Sequence, residues 1–116
     1  MNLESFKMTS YFVDKSDCSR HSAFPGVLLQ TMTGEQMTLS LVEMEPHAVI
    51  EMHSHPHEQI GYMIEGEAEF VVGGETRIVK AGQMWRIPGG VPHRVTAGLA
   101  KVRALDAFYP IREDYR

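Results

Sequence analysis

The sequence predicts one all-β domain, either a closed β-barrel or a jelly-roll sandwich, and three observations carry this reading. Turn signals built on glycine and proline recur every eight to twelve residues from Val27 onward. The runs between them are short and extended. No segment keeps a helical apolar period over three turns. Many short strands in a chain of 116 residues argue a barrel or two packed sheets. A small barrel of this kind is filled with side chains or encloses a single site.

Taken in order, residues 1–26 are the least patterned and read as an N-terminal arm ahead of a barrel spanning 27–116. Phe6 and Tyr11-Phe12-Val13 could form a short strand, residues 14–22 are polar, and Phe24-Pro25-Gly26 reads as a turn. His21 lies in the polar part and reads as a surface histidine. Residues 27–32 are the first barrel strand. Residues 38–45 alternate, with Leu39 and Leu41 on one face and Thr38, Ser40 and Val42 on the other. Pro46-His47 ends that strand, and 48–55 run extended as far as Pro56. Strands over 60–64, 67–72 and 77–79 follow, the last two joined by Gly73-Gly74, a two-residue hairpin signal. Segments 83–87, 94–96 and 102–109 complete the set.

Composition narrows the function. The chain carries 11 basic and 15 acidic residues, a net charge of -4, with no basic stripe, which argues against a nucleic-acid partner. Cys18 is the sole cysteine, so no internal disulfide forms and a reducing compartment fits. No apolar run approaches a membrane span, and Met1-Asn2-Leu3-Glu4 lacks a basic start. The expectation is a cytoplasmic protein that engages no membrane.

One stretch concentrates chemistry. His53-Ser54-His55-Pro56-His57-Glu58-Gln59 holds three of the six histidines. On a strand, residues i and i+2 leave the same face about 6.6 Å apart, so His53 and His55 can lean onto one ion. His57 shares their parity, but Pro56 interrupts the ladder. Glu58 is a rival to Gln59, since a one-residue shift would present its carboxylate instead.

The spacing around this stretch resembles the cupin superfamily. The first cupin motif, Gly-X5-His-X-His-X3/4-Glu-X6-Gly, is matched by His47, His53, His55, Gln59 and Gly66, with His47 and Gln59 changed in type. The second, Gly-X5-Pro-X-Gly-X2-His-X3-Asn, is matched by Gly82, Pro88, Gly90 and His93, with Ala97 at the final position. The resemblance implies a cupin double-stranded β-helix, a jelly-roll barrel. It also implies one divalent transition metal (Ni, Zn, Fe, Mn or Co) held by His53, His55, Gln59 and His93. His47 then takes a turn position. A neutral amide at Gln59 leaves the ion's full charge in place, favouring Lewis-acid over oxygen chemistry.

The last strand adds a second clue. Lys101 and Arg103 on odd positions should face water, which turns Val102, Ala104, Asp106 and Phe108 inward. The reversed register would put Leu105, Ala107 and Tyr109 inside. A buried carboxylate at Asp106 needs a partner or a function. Asp106, Phe108 and Arg112 keep a spacing similar to that of the pectin-degradation cupins, which open the ring of unsaturated uronate monosaccharides. That resemblance makes Asp106 and Arg112 catalytic, with Phe108 and Arg112 binding substrate. The alternative for Arg112 is a solvated tail arginine paired with Glu113 or Asp114. Trp85 and Met84 read as packing residues.

The function implied is ring-opening or tautomerisation of a small acidic sugar, probed by two rivals. An Fe(II) cupin dioxygenase would take up oxygen with substrate. A non-catalytic binding module would be stabilised by ligand without turnover. Small cupins associate through sheets and an exchanged N-terminal strand, so the resemblance also implies a homodimer with residues 1–26 as its arm.

Overall fold

The computed structural model describes residues 10–116; Phe6 and the rest of 1–9 lie outside the described residues. Among the described residues, ten strands form two antiparallel sheets: β1 (Ser19–Phe24), β2 (Val27–Thr33), β3 (Thr38–Met44), β4 (Val49–His53), β5 (Glu58–Glu65), β6 (Glu67–Val72), β7 (Glu75–Lys80), β8 (Met84–Ile87), β9 (His93–Ala97) and β10 (Val102–Tyr109). One sheet runs β1-β2-β3-β10-β5-β8 and the other β4-β9-β6-β7. Pairing of β3 with β10, far apart in the chain, makes the two sheets a jelly roll. Among the described residues no helix is long and apolar enough to cross a membrane.

Alternation selects the inner face of each strand. On β3 it is the polar-looking face that turns in: Thr38, Ser40, Val42 and Met44 are buried, while Leu39 is exposed. On β10, Val102, Ala104, Asp106 and Phe108 are buried. Cross-strand register stacks these residues in layers. Val27, Met44 and Val102 stand side by side, and Leu29, Val42, Ala104 and Met63 form the next layer. Burial of such side chains stabilises by about 1.5–3 kcal/mol each, so this half carries the core. One step along, Thr31, Ser40, Asp106 and Gly61 align, and then Thr38, Phe108 and Gln59. The interior thus grades from apolar to polar, and the polar end is available for function.

Two local expectations change. Tyr11-Phe12-Val13 is not a strand, and the rings of Tyr11 and Phe12 are exposed. Residues 19–24, read from sequence as the end of the polar stretch 14–22 and the start of the Phe24-Pro25-Gly26 turn, form β1, which pairs with β2 of the same chain along Ser19–Thr31 to Phe24–Val27. An edge strand is held by its ladder and needs little apolar content, which is why composition hides it.

Candidate metal centre

His53 closes β4 and His93 opens β9, and the two are paired directly across the ladder. Their rings lie 4.4 Å apart between centroids. His55 is not on the strand, since β4 stops at His53, yet its ring comes within 5.0 Å of His93 and 5.6 Å of His53. Ligand atoms of the three lie within 4.8 Å of one another. Two backbone contacts bring the motifs together: Gly90 N–H donates to the His55 carbonyl at 2.8 Å, and a Cβ on Gly89 would run into the Pro56 carbonyl.

The imidazoles are oriented alike. Nδ1 of His53 lies 2.8 Å from the Glu51 carbonyl, that of His55 3.1 Å from His57 O, and that of His93 2.9 Å from Val91 O. A carbonyl only accepts, so each Nδ1 carries the proton and each Nε2 keeps a lone pair. His93 Nε2 is buried without a partner. Burial, helped by the charges of Arg112 and His93, lowers His55 to about 4, and burial likewise lowers His93. The three imidazoles therefore present Nε2 lone pairs to one small region.

Gln59 Oε1 lies 3.0 Å from His55 Nε2. With both atoms acceptors, a cation between them resolves the contact. The Gln59 amide also bears on the Asp106 carboxyl and works against the upward push of burial there. Nitrogen and oxygen donors of this kind fit a divalent transition ion.

Asp106 is buried in the next layer of the cavity. Burial raises its carboxyl to about 6, against the pull of hydrogen bonds from Gln59 and Trp85 and the charge of Arg112. Trp85 Nε1–H donates to Asp106 Oδ1 at 2.8 Å, and its ring packs on Phe70 at 4.6 Å. Gly61, paired with both residues, makes this possible, because a Cβ there would run into the Trp85 ring and Asp106 Oδ1. Trp85 is thus more than a packing residue. Its inward parity with Ile87 was the available sequence signal, and for Gly61 the signal was a glycine on the inner face of an otherwise full strand.

Arg112 is buried, yet it also pairs with Asp114 through Nε at 3.1 Å and a terminal nitrogen at 2.8 Å. Its guanidinium carbon stands 4.8 Å from the Phe108 ring centre and 4.0 Å from that of Tyr115. Arg112 is therefore at once the paired arginine and a cavity residue. His53, His93, Gln59, Asp106, Phe108, Arg112 and Tyr115 all line one cavity of about 340 Å³.

Other candidates fall outside it. Glu58 is exposed at the opposite parity to buried Gln59. His57 stays out of the three-histidine group, its Nε2 lying 3.1 Å from the Ile111 carbonyl. His47 occupies a turn with φ 67°. His21 is half-buried, not free on the surface, and its Nε2 lies 3.2 Å from the Tyr115 carbonyl.

Two facing sheets around three converging imidazoles define a small barrel with a metal-ready interior. A family model described as a cupin domain matches residues 40–108, and the chain belongs to that family. An RmlC-like cupin from Shewanella frigidimarina is similar in fold, with TM-score 0.84, 23% identity, and coverage of 93% of this chain and 97% of that one. KdgF from Halomonas sp. is similar with TM-score 0.80, 26% identity, and coverage of 92% and 98%. The Bacillus subtilis oxalate decarboxylase, a protein with Mn(II) centres, matches with TM-score 0.78 and 23% identity, covering 90% of this chain but 30% of its own. No curated protein matches the chain.

Proposed function

We propose that this cupin is a metal-dependent enzyme that opens or tautomerises the ring of a small acidic sugar of the unsaturated uronate type. The observation that carries the reading is the convergence of Asp106, Arg112 and Phe108 with the histidine cluster on one cavity. Their spacing resembles that of the pectin-degradation cupins, and the likeness to KdgF hints at the same chemistry.

His53, His55 and His93 would hold the ion through Nε2 and Gln59 through its amide oxygen. When bound, the ion supplies Lewis-acid polarisation of substrate oxygens. Arg112 takes the substrate carboxylate, its guanidinium steadied between Phe108 and Tyr115. Phe108 walls the sugar ring. Asp106, with a carboxyl held near neutrality, exchanges a proton with the substrate, and Trp85 keeps it aimed. The test is to add metal-loaded protein to an unsaturated uronate and follow its enol ultraviolet absorbance. The reading expects a protein-dependent loss; a loss no faster than in buffer contradicts it.

We also propose that two copies pair through the outer face of the six-stranded sheet. Leu39, Ile60, Tyr62, Ile64 and Met84 stand exposed on that face. Size exclusion of the whole chain, and of one shortened to begin at Asp14 so that β1 is kept, should both give a dimer; a monomeric whole chain contradicts the pairing, and a dimer lost only on shortening assigns it to the N-terminal residues.

A further inference from the structure

Ser40 is a buried polar side chain of the cavity that the proposed chemistry leaves unused. It is 1% exposed, lines the cavity, and its Oγ has no hydrogen-bond partner. Polar groups around it are committed. Across the ladders stand Asp106 on β10 and Thr31 on β2. Thr31 Oγ1 donates to the Tyr115 carbonyl, and Asp106 Oδ1 accepts from Trp85. On the same face of β3, Thr38 Oγ1 accepts from Arg112 N–H at 3.0 Å. On the other side Val42 begins the apolar layer with Leu29, Ala104 and Met63. A hydroxyl buried without a partner is costly, and it is tolerated where a ligand completes it.

We infer that Ser40 is a ligand-recognition residue whose hydroxyl bonds a hydroxyl or carbonyl oxygen of the bound acid beside Asp106. It is the last polar group a ligand meets before the apolar layer. Oxygens of the ligand therefore end at the Ser40–Asp106 level, and a face of the ligand bearing only C–H groups lies beyond. The inference rests on the reading of this cavity as a sugar-acid site and adds a contact that sets which hydroxylated acids fit.

The experiment titrates D-galacturonate, a saturated uronate without the enol ether, into zinc-loaded wild type and Ser40→Ala by NMR, and melts both proteins. Loss of one neutral hydrogen bond should raise Kd about 3- to 10-fold. Tm should hold or rise, because the hydroxyl has no protein partner to lose. A Kd within twofold of wild type, no binding by wild type, or a Tm lowered by several degrees overturns the assignment. If Ser40→Ala weakens galacturonate binding while wild type leaves the unsaturated uronate unchanged, Ser40 stands and the proposed reaction fails.

Discussion

Trp85 Nε1–H donates to Asp106 Oδ1 at 2.8 Å, tying the strand that precedes Pro88-Gly89-Gly90 to the carboxylate of the last strand. The bond crosses Gly61 and fixes the carboxylate's direction. It also opposes the upward push of burial on Asp106. Trp85→Phe keeps most of the packing on Phe70 and removes the donor. In metal-free protein the Asp106 carboxyl should then titrate at higher pH than in wild type, read by carboxyl NMR. Turnover should fall by about 10- to 100-fold, as for a hydrogen bond to a charged group. An unmoved titration would show that the indole only packs.

Gly61→Ala places a methyl where the indole and the carboxylate meet. Something must shift, at a cost of about 1–3 kcal/mol for overpacking. Trp85 is the chain's one tryptophan, so intrinsic fluorescence reports this spot alone. Its emission should change together with loss of turnover, while circular dichroism stays that of a β-protein.

Acid and base stability of the metal-free protein should pull in opposite senses. His55 is lowered from 6.5 to about 4, so its contribution is present above 6.5 and is lost as pH falls to about 4. Asp106 is raised from 3.8 to about 6, so its contribution is present below 3.8 and is lost as pH rises to about 6. Asp106→Asn removes the second effect. Its stability over wild type in urea should grow from nothing near pH 4 to about 3 kcal/mol at pH 8. A constant difference across that range would place the carboxylate in a solvated setting.

Asp114 already occupies the fork of Arg112 with a carboxylate. An acidic ligand has to share or displace it. Asp114→Asn should therefore tighten binding of a small uronate about threefold or more, an effect kept modest because the Asp114 side chain is 59% exposed. Calorimetry in low salt measures it, and weaker binding would make Asp114 a support for Arg112 in place of a competitor.

Strands from Val27 to Tyr109 were legible because turn signals and alternation are local properties of the chain. The His53, His55 and His93 group was legible through spacing, although the strand argument misplaced His55, which reaches the cluster from beyond the end of β4. Asp106 was legible only through the charges of Lys101 and Arg103, which set the register. Other features depend on distant partners. β1 is held by its ladder with β2, and His21 by the Tyr115 carbonyl 94 residues away. The value of Gly61 appears only once β8 and β10 flank it, and Ser40 looks like any strand serine until its partners are found committed elsewhere. Arg112 posed a choice between a solvated tail and a buried position, and the fold buries it against the cavity while pairing it with Asp114.

Elemental analysis of the purified protein tests the central claim most directly, that two sequence motifs 38 residues apart at His55 and His93 close around one ion. After incubation with each of Ni, Zn, Fe(II), Mn and Co and removal of excess, at least one should remain at about one per chain in wild type. His57→Ala should retain it, and a variant with His53, His55 and His93 all changed to Ala should hold none. No retained metal in wild type, or full retention in the triple variant, would contradict the account.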